Sequence, residues 1–119
     1  MPRVPHDFGY YSLNADHSVT KHDDLMRWAM EFEHSNRRVK LTILAPGIFV
    51  STVFLGLDHS FSDTGPPILF ESMSFTDYGE QGCDRYATWD EAVAGHEAMV
   101  AELRSTLKAR GVKVENGAT

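Results

Sequence analysis

The sequence predicts an α+β domain: an antiparallel sheet of four to five strands with two helices on one face, a two-layer sandwich. Three observations predict it. Two runs rich in Val, Ile, Thr and Phe, VKLTIL at residues 39–44 and IFVSTVFLGL at 48–57, flank Pro46 and Gly47, the centre of a type II turn, as the arms of a hairpin would. A third run, PPILFESMSF, follows at 66–75. Two further segments, after residues 20 and 88, repeat apolar residues at helical spacing instead.

In chain order, FGYYSL at 8–13 has the aromatics of a short edge strand or arm, and NADHS at 14–18 has turn composition. The first helix is placed within 20–38, where Leu25, Trp28, Ala29 and Phe32 fall at i, i+3, i+4 and i+7. Thr20 is its expected cap, Asp23 and Asp24 suit the positive end of the helix dipole, and Arg27 has i,i+4 partners in Asp23 and Glu31. The run at 48–57 is apolar on both sides, with Phe49, Val53, Leu55 and Leu57 on one and Ile48, Val50 and Phe54 on the other, so it is expected to be central. In the next strand Glu71 shares a side with Leu69, Met73 and Phe75. TDYGEQGCD at 76–84 reads as a turn, and RYAT at 85–88 as a last short strand. Thr88 and Glu91 have the spacing of a capping box, which opens a helix by reciprocal hydrogen bonds to free N–H groups. Behind them Ala92, His96, Met99, Val100, Leu103 and Leu107 form one stripe that ends at Lys108, Arg110 and Gly111. Residues 1–119 make a single domain with loose ends at 1–7 and 112–119. The sheet face away from the helices, expected to bear Phe54 and Phe70, is left partly exposed or covered by another chain, which points to a homodimer.

Composition narrows the function. With 11 Lys and Arg against 17 Asp and Glu, the formal charge is -6, which argues against general nucleic-acid binding because that needs a basic face. No run approaches the ~20 apolar residues of a membrane span, and the N-terminal segment lacks a signal-peptide core. A single cysteine, Cys83, leaves no intrachain disulfide and suits a reducing compartment. The expected location is therefore the cytoplasm, and no cofactor is expected, since neither a Walker A loop nor a dinucleotide fingerprint is present.

Four polar residues are the candidates for chemistry. Asp58 and His59 stand together at a strand end, where a histidine held by an acid serves as base or metal ligand, or where both simply meet solvent. Glu71 lies among apolar neighbours and needs a partner such as Arg37, Arg38, Arg85 or His96. His96 sits on the apolar stripe after Gly95, as a hydrogen-bonded core residue or as a ligand. GHEAMVAE lacks the second histidine of a zinc-protease helix, so no metal set is expected from spacing. Phe61, in the loop after His59, and Trp89, at the start of the last helix, are the candidate interaction residues.

The blocks VSTVFLGLDHSF, GPPILFESMSF and RYATWDEAVAGHEAMV resemble a family of small bacteriophage and prophage proteins that read close to V-S-T-V-F-L-G-L-D-H, L-F-E-T-M and R-Y-x-T-x-E-E-A-x-x-G-H. Ser72 stands where that pattern has Thr. The resemblance implies a phage-type origin and a bacterial host cytoplasm, and carries no chemistry with it. The expected function is a non-catalytic protein-binding or self-associating module, acting on a host or defence protein. The alternatives are a small metal-assisted or acid–base hydrolase built on Asp58, His59, Glu71 and His96, and a minor virion component.

Overall fold

A computed structural model describes residues 9–60 and 65–114. The order is β1 (Tyr10–Leu13), β2 (Val19–His22), α1 (Leu25–Glu33), β3 (Arg38–Ala45), β4 (Ile48–Phe54), β5 (Phe70–Thr76), β6 (Gly79–Tyr86) and α2 (Trp89–Ala109). The α+β class and the antiparallel pairing are as the sequence predicts. The strands divide into a two-stranded sheet, β1-β2, and a four-stranded sheet in the order β3-β4-β5-β6.

The hairpin between β3 and β4 turns at Pro46 and Gly47, where Gly47 takes the positive φ of 75° that this position requires. β4 lies between β3 and β5, as its two-sided apolar pattern predicts. Every second residue of β4, Ile48, Val50, Thr52 and Phe54, is buried. The same alternation buries Phe70, Ser72 and Ser74 of β5. α2 covers this face and contacts all four strands. It opens with the capping box of Thr88 and Glu91 and closes with Gly111 N–H donating to Lys108 O and Val112 N–H to Leu107 O, a Schellman pattern. Val114 then packs back against the core formed by Leu44, Ile48, Val50 and the last turns of α2.

A second cluster, Phe54, Leu69, Phe70 and Ala92, lies at the other end of α2 and is joined by Tyr11, Leu13, Phe32, Val39, Tyr86 and Trp89. Here the β1-β2 hairpin and α1 fasten to the sheet. A chain of rings runs through the cluster: Tyr10 to Trp28 at 5.1 Å, Trp28 to Phe32 at 4.9 Å, Phe32 to Phe54 at 6.5 Å, Phe54 to Phe70 at 5.4 Å, and Phe70 to Trp89 at 6.3 Å.

Several expectations change in detail. The cap of α1 is Asp24, which accepts from Arg27 N–H, and Thr20 belongs to β2. Residues 19–22 form a strand because β1 is on hand to pair with them, and tertiary pairing decides a segment with little preference of its own. Residues 79–86 form one edge strand, not a long turn and a short strand. Gly79, Gly82 and three charged side chains disguise it, yet charge is what an exposed edge tolerates. Phe54 and Phe70, 3% and 0% exposed, face α2 and the hairpin, so they do not line the open side. The segments 1–7 and 115–119, Phe8 and Phe61 lie outside the described residues.

Candidate functional site

The two faces of the four-stranded sheet separate His96 from Glu71, and Asp58 and His59 lie outside it, beyond the end of β4. His96 projects from the middle of α2 onto the covered face and is fully buried. Its Nε2 lies 2.8 Å from Thr42 Oγ1 and its Nδ1 2.7 Å from Thr52 Oγ1, and Thr52 Oγ1 in turn lies 2.5 Å from Ser72 Oγ. A neutral imidazole donates from one nitrogen and accepts at the other, so the two threonines take opposite roles and both ring nitrogens are satisfied. These groups form a polar layer between the two apolar clusters. The salt bridge of Lys40 with Glu97 lies beside it, on the next residue of α2. That bridge holds the Glu97 carboxyl below its usual range.

Burial pushes His96 below the ordinary histidine value, with Lys40 adding to the effect and Glu97 opposing it. The unfolded chain takes up a proton at this ring below about pH 6.5, whereas the folded chain does not. Stability from this group is therefore complete above about pH 6.5 and is lost as pH falls toward the depressed folded value, by at most ~1.4 kcal/mol per pH unit. Urea midpoints measured between pH 7.5 and 5.5 should fall in the wild type, and His96→Gln should remove that part of the slope.

Glu71 points to the opposite face. It lies between Val53 of β4 and Arg85 of β6, and Arg85 Nε donates to its Oε2 at 2.9 Å. Of the four partners foreseen, Arg85 is the one used. Glu71 and His96 therefore cannot share a reacting atom, since the sheet lies between them.

Asp58 is buried at 6% exposure, and its Oδ1 accepts from the N–H groups of Ser60 and Ile68 at 2.8 and 2.9 Å. His59 N–H donates to Ile68 O, and His59 Nδ1 lies 2.8 Å from Leu57 O. The pair clasps the base of the loop that leads to β5, with Asp58 N–H also donating to Gly9 O at 3.0 Å. Among the described residues no group of three or more His, Cys, Asp or Glu side chains is placed to hold a metal ion. Trp89 is half-buried, and one side of its ring stacks on His17 at 3.7 Å, which ties the β1-β2 turn to the start of α2.

The uncovered face of the sheet is a different kind of surface. Strand register arranges its side chains in three rows: Arg38, Val53, Glu71 and Arg85; then Leu41, Ser51, Met73 and Cys83; then Ile43, Phe49, Phe75 and Glu80. Phe49 and Phe75 stack at 4.8 Å, and Ile43 is 40% exposed. No described helix packs against these rows. Cys83 belongs to the middle row, where burial, and then the nearby Glu71 carboxylate, push its thiol up and keep it protonated. The sequence pattern contains this face as the residues alternating with Ile48, Val50 and Phe54. Which set is covered depends on where the helix lands, and His96 marks that side only once its threonine partners are known.

No helix is long and apolar enough to cross a membrane among the described residues. In comparisons with known proteins, the chain matches no family model, no curated protein and no solved structure.

Proposed function

We propose that the protein is a non-catalytic binding module that works through the uncovered face of its four-stranded sheet, and that this face takes up a second copy of the same chain. The observation that carries the reading is the three-row face, with a stacked Phe49–Phe75 pair at its centre edge and charges only along its margins. The dispersal of Asp58, His59, Glu71 and His96 into separate structural bonds favours binding over catalysis.

Charge chooses the arrangement. Two sheets packed face to face by a two-fold axis along the strands set β3 over β6, and place Arg38 against the second copy's Arg85, which is repulsive. A two-fold axis across the strands sets the first row over the third. Arg85 of each copy then faces Glu80 of the other, and the Phe49–Phe75 pair meets Val53 and the stem of Glu71. Strands 4.8 Å apart and rows ~6.8 Å apart give a face of about 20 Å by 20 Å, roughly 400 Å² in projection. That falls below the ~800 Å² per partner of a standard interface, so association is weak, with Kd on the order of 0.1 mM. In keeping with the resemblance to bacteriophage proteins, we propose a host polypeptide as a further ligand that competes for the same face.

Amide spectra recorded over a dilution series from roughly 1 mM to 20 µM test this, a range that brackets the expected Kd. Signals of Leu41, Ile43, Phe49, Met73, Phe75 and Glu80 should move together. Concentration-independent spectra, or changes confined to the exposed Met26 and Met30 of α1, would overturn the reading.

A further inference from the structure

At the margin of the sheet face, with which it shares Arg38 and Val53, the end of α1 and the start of β3 border a cleft of about 560 Å³. Ser35, Asn36, Arg37 and Arg38 line it together with the apolar Phe32, Val53 and Leu55. We infer that this cleft binds a small oxyanion, a phosphate or carboxylate, carried on an aromatic or apolar group.

The charge pattern is the first argument. In a chain of net charge -6, this cleft is lined by two arginines and no acidic residue. Arg27, Lys40 and Arg85 are each paired with a glutamate, at Glu31, Glu97 and Glu71. Arg37 and Arg38 have no acidic partner among the described residues. The guanidinium fork matches phosphate and carboxylate through two parallel N–H bonds, which a paired arginine cannot offer.

Preorganisation is the second. The Arg37 guanidinium lies over the Phe32 ring, 4.2 Å from its centroid, which holds it in place, and no side-chain hydrogen bond among the described residues occupies its N–H groups. The backbone that carries both arginines is pinned. Arg37 O accepts from Phe54 N–H at 2.7 Å, Arg38 N–H donates to Asn36 Oδ1 at 3.1 Å, and Ser35 Oγ donates to Phe32 O at 2.8 Å. Two long side chains anchored on a fixed turn lose less freedom on binding than two on a mobile loop. The C-terminal end of α1 opposes an anion with roughly half a negative charge, against two full positive charges on the arginines. The cations win. The apolar part of the lining, Phe32, Val53 and Leu55, has no role in holding a bare ion, and it selects a ligand with an apolar body.

The test uses the full chain, titrated at low salt with phenyl phosphate, benzoate, inorganic phosphate and phenol, and read by amide shifts. Phenyl phosphate or benzoate should bind saturably, at least ~10-fold tighter than phenol, with shifts at residues 32, 35–38 and 53–55. Arg37→Gln and Arg38→Gln should each weaken binding about 10-fold with the far-ultraviolet spectrum unchanged, since both side chains are exposed. A preference for phenyl phosphate assigns a phosphate ester, and a preference for benzoate a carboxylate. Absence of saturable binding of either anion, or binding unchanged in both variants, overturns the inference. The result stands apart from self-association, because the titration is done at a protein concentration below the expected dimer Kd.

Discussion

His96→Ala should destabilise the protein by about 3 kcal/mol, a large part of the 5–15 kcal/mol that holds a domain of this size together. The substitution removes a fully buried ring between Thr42 and Thr52 and leaves both hydroxyls without that partner. Large-to-small changes at buried sites cost roughly 2–5 kcal/mol, and the Thr42 hydroxyl, stranded while Thr52 keeps Ser72, adds about 1–3 kcal/mol. Water entering a polar cavity recovers part of this, so the expected loss is near the lower end of the sum. His96→Gln, which keeps a donor and an acceptor, should cost about half as much. Urea unfolding at pH 7.5 measures both. A loss below about 1 kcal/mol for His96→Ala would mean that the polar layer is not a structural joint.

Gly95→Ala should destabilise by about 2 kcal/mol, even though the same change in an open helix stabilises by about 1 kcal/mol. A Cβ at Gly95 would stand 2.2 Å from Cζ and Oη of Tyr86 and 2.3 Å from its Cε1. No rotation of a phenol ring about its own axis relieves a clash at Cζ, so the whole side chain must leave the cluster of Phe54, Leu69 and Phe70. Among the described residues, Tyr86 Oη at this close approach is buried with no partner in hydrogen-bonding geometry. Burial raises the phenol further above its ordinary range and keeps it neutral there. In a Tyr86→Leu background the sign should reverse, and Gly95→Ala should become neutral or stabilising. Thermal unfolding of the four proteins of this cycle gives the coupling directly.

These two residues show what the sequence made legible. The capping box at Thr88, the stripe through His96 and the Pro46-Gly47 turn are local patterns, and each appears where its residues predict it. β4 as a central strand follows from apolar residues on both of its sides. By contrast, β2 and β6 owe their form to neighbours: β2 to pairing with β1, and β6 to pairing with β5 across two glycines. The fate of Glu71 needed the register, because a shift of one residue between β4 and β5 would have sent it under α2. The same parity moved Phe54 and Phe70 from the expected open side to the core. Arg37 and Arg38 stood in the sequence only as possible partners of Glu71, and their shared cleft exists because α1 ends beside the start of β3.

Sedimentation equilibrium of the full chain beside Phe75→Lys tests the central claim most directly, because Lys at that position keeps an open-face site but puts a charge against the second copy's apolar rows. The wild type should show a reversible monomer–dimer equilibrium with a dissociation constant on the order of 0.1 mM, and Phe75→Lys should remain monomeric with an unchanged circular dichroism spectrum. A wild type that stays monomeric up to about 1 mM, or a Phe75→Lys variant that associates as the wild type does, would contradict the assignment of the uncovered sheet face as the binding surface.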